Sequence, residues 1–284
     1  MTTQTHHANN TGLTLVIGGT GKTGRRVVER LQARNPPVRI GSRSAVPAFD
    51  WHNEASWEAC LANVEAIYIT YTPDLAIPGA SDAIRALVTR AKSQGVKRAV
   101  ILSGRGESEA QTCEQIVMAS GLEWTVVRAS WFNQNFSEGA FIEMVHAGEI
   151  ALPAGDTPEP FVDVDDIADV AVAALTESGH NGEVYEVTGP RLLTFQDIAT
   201  ELSRATGRDI RYTEIPHRAF IDAVAASGAP KDVVWIMDYL FTTVLDGHNA
   251  YLTDGVQRAL GRPPRDFADY ARAVAASGAW NVAA

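Results

Sequence analysis

The stretch Leu13-Thr14-Leu15-Val16-Ile17-Gly18-Gly19-Thr20-Gly21-Lys22-Thr23-Gly24 decides the reading of this 284-residue chain. A short apolar and β-branched run enters a glycine-rich turn, and residues 22–33 then show helical spacing with Val27, Val28 and Leu31 on one face. Strand, Gly-x-Gly-x-x-Gly turn (Gly19, Gly21, Gly24) and helix, in that order, make a dinucleotide-binding fingerprint. The first glycine permits the tight turn, the second lets the backbone approach a pyrophosphate, and the third lets the helix pack against the strand. The phosphates meet free N–H groups and the positive end of the helix dipole. Gly18, Gly19, Thr20, Gly21, Lys22, Thr23 and Gly24 are therefore the expected phosphate-binding residues. Gly21-Lys22-Thr23 also resembles the end of a Walker A loop, but that motif needs glycine at position 16, where this chain has Val16, so a nucleoside triphosphatase is excluded.

Outward from the turn, strand and helix patterns alternate. Residues 38–40 read as a second strand, Phe49 as the end of a short third, and residues 66–69, 99–102 and 124–127 as the fourth to sixth. Residues 57–61, 80–92 and 109–119 are helical between them. Repeated βα units predict a doubly wound parallel sheet of the Rossmann, extended short-chain dehydrogenase type, in the α/β class. After Arg128 the rhythm changes. A helix is expected over 136–147, a short strand over 149–151 and a loop over 153–160. Asp165-Asp166 opens a helix over 167–175, a strand follows over 184–187, and Thr194 caps a helix over 195–206 that Gly207 closes. The expected organisation is a disordered tail over 1–11, a Rossmann core over 12–152 and a smaller helix-rich lobe over 153–284, with the strand near 184–187 returning to the core sheet.

Composition is ordinary for a globular protein, 45% hydrophobic and 20% charged. The net charge of -10 argues against electrostatic nucleic-acid binding and against anionic membrane surfaces. Residues 1–10 are polar and do not resemble a signal peptide, and no apolar run approaches the ~18 residues of a spanning helix. Cys60 and Cys113 suggest no disulfide framework. His146, His180, His217 and His248 are scattered, without metal-ligand spacing, so no metal is expected. These features predict a cytoplasmic protein, monomeric or homodimeric, whose partner is a small molecule.

The end of the second strand discriminates between cofactors. NAD enzymes often place a carboxylate there, on the ribose 2′-hydroxyl. This chain has Gly41-Ser42-Arg43-Ser44. Arg43 can make a forked, charge-assisted contact with a 2′-phosphate, and Ser42 and Ser44 add hydroxyls, which favours NADP(H). Asp50-Trp51 and Thr70-Tyr71 follow later strands and are expected along the cofactor's adenine side and path respectively.

These pieces together resemble the NmrA-like group of atypical short-chain dehydrogenases and reductases. The resemblance runs from Leu13 to about Phe220. It rests on the glycine turn, on Ser120-Gly121-Leu122-Glu123-Trp124-Thr125-Val126-Val127-Arg128, on Trp131-Phe132-Asn133-Gln134-Asn135-Phe136 and on Asp165-Asp166-Ile167-Ala168. Phe49-Asp50-Trp51, Ser130-Trp131-Phe132 and Gly189-Pro190-Arg191-Leu192-Leu193-Thr194 are similar to segments of the fungal ergot-alkaloid reductases, and small quinone oxidoreductases look alike too. The resemblance implies this fold and a nicotinamide cofactor. The group also includes redox-sensing regulators that bind the dinucleotide without turnover.

Many short-chain dehydrogenases use a Tyr-x-x-x-Lys pair, in which the tyrosine protonates a nascent alkoxide. Alignment by the helix before Ser120 puts that pair at Gly106 and Ala110, and no tyrosine occurs from Leu102 to Phe161. An iminium needs no acid after hydride addition, and a quinone or activated alkene needs only a weak one. The expected function is NADP(H)-dependent hydride transfer to a small planar electron-poor acceptor, with a non-catalytic redox-sensing protein as the alternative. Ser103 and Tyr71 are the candidate catalytic residues, both also expected against the cofactor. Trp131, Phe132, Asn133 and Asn135 are the candidate substrate-binding residues, in keeping with a flat pocket bearing few polar contacts. Cys113 reads as a buried, inert thiol, and Trp235, Met237, Tyr239 and Phe241 read as core packing.

Overall fold

The computed structural model describes residues 12–282, so the tail expected over 1–11 lies outside the described residues. In chain order the elements are β1 (Leu13–Ile17), α1 (Lys22–Ala33), β2 (Val38–Gly41), a 3-10 turn (Glu54–Ser56), α2 (Trp57–Leu61), β3 (Val64–Ile69), α3 (Ala80–Ser93), β4 (Arg98–Gly104), α4 (Ser108–Met118) and β5 (Glu123–Ala129). There follow α5 (Asn135–Glu138), α6 (Ile142–Ala147), β6 (Glu149–Leu152), α7 (Val164–Thr176), β7 (Glu183–Val187), α8 (Phe195–Thr206) and β8 (Arg211–Glu214). The chain continues through α9 (His217–Ala226), α10 (Lys231–Tyr239), a π-helical turn (Leu240–Val244), α11 (Gly255–Leu260) and α12 (Phe267–Ser277).

Six strands form one parallel sheet in the order β2-β1-β3-β4-β5-β7. A parallel sheet covered on both faces reads as continuous apolar runs, and Leu15, Val16 and Ile17 are all fully buried. Alternation then sorts them. Leu15 and Ile17 join Ile67, Ile69, Ala99 and Ile101 beneath α3 and α4, whereas Val16 joins Tyr68, Val100 and Val127 beneath α1 and α7. The strand order reverses between β1 and β3, which opens a crevice at their carboxyl ends.

A third core, rich in aromatic rings, sits beyond those carboxyl ends. Trp131, Phe136, Phe141, Phe161, Phe195, Phe241 and Phe267 pack there with a two-stranded parallel sheet of β6 and β8. An arginine on α1 ties this lobe to the main sheet, Arg26 bonding Glu138 of α5, while Arg30 bonds Asp165 and Asp169 of α7 within the sheet's own helix layer, both at 2.6 Å.

The structure departs from the sequence expectation at four places. Residues 48–50 form no strand; the Phe49 amide donates to Ser42 O at 2.9 Å and its ring stacks on Trp57, so this segment closes on itself and has no strand neighbour. The helix expected over 136–147 breaks into α5 and α6 at Gly139, whose backbone is extended (φ -137, ψ -157). Asp163, not Asp165 or Asp166, caps α7 by accepting from the Asp165 amide. The two following carboxylates pair instead with arginines, Asp165 with Arg30 and the fully buried Asp166 with Arg262 and Arg265. Finally, a division at residue 152 does not follow the layers, because β6 pairs with β8 outside the main sheet while α7 packs on it; β7 (Glu183–Val187) pairs with β5 in the main sheet, where the strand near 184–187 was expected.

Candidate functional site

A cavity of about 710 Å³ runs across the carboxyl ends of β2, β1, β3, β4 and β5. Gly18, Thr20, Gly21, Lys22 and Thr23 line one end. Gly19 and Gly24 do not line it; they shape it from behind. A Cβ on Gly24 would lie 2.1 Å from Gly18 O, so a side chain there would force the turn off the helix. No side chain caps α1, and among the described residues no acceptor meets the Lys22 and Thr23 amides. A backbone that brings open N–H groups to a glycine-walled end fits a pyrophosphate.

Lys22 reaches away from this turn. Its Nζ donates to Asn135 Oδ1 at 2.9 Å, and burial lowers its pKa from the ordinary lysine value. Lys22 and Asn135 thus join the phosphate turn to the second lobe, and both line the cavity.

The next wall comes from the β2 and β3 ends. Arg43 is exposed and lines the cavity, with no hydrogen bond or ion pair among the described residues. Ser42 Oγ and Ser44 Oγ lie 3.3 Å apart beside it. Trp51 is held by its indole N–H on Thr70 O at 3.1 Å and by rings of Phe49, Trp57 and Tyr71 at 5.1, 5.7 and 4.7 Å. The Asp50 carboxylate accepts from the His52 amide at 3.0 Å, and Thr70 Oγ1 is spent on Ile17 O at 3.0 Å. Asp50, Trp51, Thr70 and Tyr71 all face the cavity. Tyr71 gains nothing as an acid there, since burial raises its phenol and no cation counters it.

Ser103 and Trp131 line the far end. The Ser103 hydroxyl and the Trp131 indole N–H are both buried without a partner, which leaves two donors for a ligand. Trp131 also packs on Phe241 at 5.3 Å, so one ring serves the core and the cavity wall. Phe132 lines the cavity, but Asn133 does not. Asn133 is fully buried behind the wall, where its amide N–H donates to Val162 O, so it is not brought to this site. The remaining wall is apolar: Val233, Ile236, Met237, Leu240 and Val244 from α10 and its π-helical turn. Met237 therefore faces the cavity, while Phe241 packs in the core and Trp235 stacks on Tyr239.

Gly106 cannot carry the tyrosine of other short-chain dehydrogenases. Its φ is +80, and a Cβ would lie 2.1 Å from Asn249 Nδ2. Ala110 is fully buried. One residue on, Glu107 lines the cavity and is 6% exposed, with Oε2 unpartnered in the hydrogen-bond geometry. Asp74, from the loop after β3, lines the same end. Burial and then the Asp74 charge hold Glu107 well above the usual carboxylate range, and burial also raises Asp74. Neither residue was singled out from sequence. The one available signal was an acid immediately after the glycine that replaces the tyrosine. A second hidden acid lies behind the wall: Ser130 donates to Glu159 Oε2 at 3.2 Å, and burial pushes Glu159 up to about 7. Cys113 is buried against Leu75 O at 3.7 Å, and its thiol is pushed up to about 12 by burial and the charges of Glu114 and Asp74, so it is no nucleophile. Among the described residues no cluster of His, Cys, Asp and Glu could hold a metal, and no helix is long and apolar enough to cross a membrane.

A doubly wound sheet with a glycine-walled phosphate cradle at its switch point, and one cavity leading from it to a second lobe, defines a nicotinamide-dependent oxidoreductase of the Rossmann class. The chain belongs to the NmrA-like family, whose profile matches residues 10–260. It is 33% identical over 284 residues to the NAD(P)H azoreductase of Xenophilus azovorans, with 93% of this chain and 98% of that protein covered. It is 30% identical over 274 residues to agroclavine dehydrogenase of Claviceps fusiformis, covering 90% and 95%. In fold it is similar to the NADPH-dependent quinone oxidoreductase QOR2 of Escherichia coli, solved with NADPH, at a TM-score of 0.77 and 21% identity over 92% of this chain and 99% of that one.

Proposed function

We propose that this protein is an NADP(H)-dependent reductase that passes hydride to a small, planar, electron-poor acceptor. The observation that carries this reading is the single cavity, with Arg43 and the phosphate turn at one end and Ser103, Trp131 and the apolar wall of α10 at the other. Thr20, Lys22 and Thr23 would hold the pyrophosphate, and Ser42, Arg43 and Ser44 the 2′-phosphate. Trp51 and Asp50 flank the adenine side, and Ser103 faces the nicotinamide end. A bound dihydronicotinamide supplies hydride. The protein's own contribution is to orient both reactants and keep water out, which by effective molarity is worth up to ~7–11 kcal/mol of barrier.

The acceptor is an imine or iminium, a quinone, an activated alkene or an azo compound. Relatives over the full chain include an azoreductase and an alkaloid dehydrogenase, and the flat aromatic end near Trp131 and Phe132 suits such molecules. The test is NADPH consumption across a panel of these acceptors, with product identified by mass. Tight NADPH binding with no consumption by any of them would leave a dinucleotide-binding regulator in its place.

A further inference from the structure

Two carboxyl groups at the acceptor end of the cavity have no part in that reading. Asp74 lies on the loop that follows β3, and Glu107 stands at the N-terminus of α4 just past β4. Neighbouring strands in the sheet bring these distant residues together. They stand close enough for each carboxyl to act on the other, and both face the cavity. The Glu107 carboxyl folds back over Gly104, where a Cβ would meet Oε1 at 2.0 Å. Gly104 is thus what allows an acid to occupy this corner, and Glu107 Oε2 is buried there with no partner in the hydrogen-bond geometry.

The charges that act most strongly on Glu107 favour a proton on it: Asp74 from the β3 loop, and Glu109 and Glu114 from its own helix. The neutral Tyr239 phenol faces these acids from α10, and the cation nearest along the chain, Arg105, is bonded to Glu186, Asn249 O and Tyr251 O. Glu114 is neutralised by Arg128 at 2.9 Å, and Glu109 accepts from Tyr239, but no cation pairs with Glu107 or Asp74 among the described residues. Asp74 is the better supported anion, because the Ala76 amide donates to it at 2.8 Å.

We propose that Glu107 is the acid that protonates the reduced acceptor, with Asp74 as the residue that keeps the proton on it. Glu107 has this role only if the chain is a reductase, as read above. The balance is simple. A quinone takes hydride from the reduced cofactor and becomes a hydroquinone monoanion. The Glu107 O–H bond breaks as the proton passes to that oxygen, and the carboxylate regains a proton from water. The products are the hydroquinone and the oxidised cofactor. A pair of this kind supplies what Gly106 and Ala110 do not.

The test compares two acceptors in single-turnover NADPH oxidation: a quinone, whose reduction consumes a proton, and a cationic triarylmethane dye, whose product is neutral after hydride alone. Glu107→Gln is isosteric and can still donate to Asp74; unchanged NADPH affinity and melting temperature check its fold. It is expected to slow quinone reduction roughly 10²-fold more than dye reduction, the range of a general acid. The alkaline fall in the wild-type quinone rate disappears in Glu107→Gln and moves to lower pH in Asp74→Asn. Independently of turnover, the infrared difference spectrum of the cofactor-free wild type minus Glu107→Gln at neutral pH shows the carbonyl stretch of a protonated carboxylic acid, the contribution of Glu159 cancelling because both proteins carry it. Equal slowing on both acceptors, or no slowing, overturns the proton role while leaving the reductase reading intact, and so does absence of the band. A wild-type protein that binds NADPH but reduces neither of these nor any acceptor of the panel above sinks the reductase reading and this role with it, whether or not the band is seen; one that reduces only acceptors that take up no proton overturns the proton role alone.

Discussion

Arg43 is an exposed cation on the cavity rim with no hydrogen bond or ion pair among the described residues. An arginine so placed is available to a ligand phosphate. Arg43→Ala is expected to weaken NADPH binding roughly ten- to hundredfold, the value of one charge-assisted contact, and to change NADH binding less than about threefold. Titration of each cofactor by fluorescence decides it, and equal losses would remove the 2′-phosphate assignment. At this scale much of this cavity end was readable from sequence because Ser42, Arg43 and Thr70 sit within a few positions of a strand end and face the cavity for that reason. Trp51 faces it for another: no strand precedes it, and its indole is held on Thr70 O and against Tyr71. Asp74 and Glu107 were not readable. Their chemistry arises from mutual contact and burial, neither of which spacing along the chain reveals. Asn133 failed for the opposite reason. It lies in a cavity-lining segment, but the local turn directs it behind the wall.

Elements obey the same logic with different exceptions. The glycine turn, α1 and the main strands follow from apolar periodicity, and α8 from its Thr194–Asp197 capping box. Gly24→Ala would press a methyl against Gly18 O and should destabilise the protein by about 1–3 kcal/mol while abolishing NADPH and NADH binding alike. That equal loss, seen by calorimetry, separates a broken turn from a missing charge at Arg43. The break between α5 and α6 was hidden because apolar periodicity persists through residues 136–147. The helix stops at Gly139, whose extended backbone lies against Lys22 Nζ, where a Cβ would come within 2.7 Å. The glycine is visible in the sequence, but the neighbour it makes room for, over a hundred residues away, is not.

At the scale of the whole molecule, one buried acid ties stability to pH: Glu159, which accepts from Ser130 just past β5, sits at about 7 in the folded chain against an ordinary 4.5. Between those values the folded protein holds more protons than the unfolded one, so Glu159 withdraws stability as pH rises from about 4.5 through 7. Glu159→Gln keeps an acceptor for Ser130 and removes the titration. Its melting temperature should gain on the wild type between about pH 5 and pH 8, and parallel curves would show that Glu159 is charged throughout. Met237 lines the cavity with the apolar residues of α10 and packs on the lobe's aromatic core, so Met237→Ala should change the acceptor KM by about tenfold and leave NADPH affinity within about twofold, as steady-state kinetics and titration would show.

The parallel sheet has one consequence for how this cavity can change over time. Strands β2, β1, β3, β4 and β5 deliver their loops to the same rim, so most of the wall is laid down in chain order, the proposed cofactor groups mainly before Asp74 and the proposed acceptor groups mainly after Ala129. The two halves of the pocket are therefore separately mutable. Substitutions in the stretch from Val233 to Val244 can retune what is reduced while the hydride source and its binding turn are inherited intact.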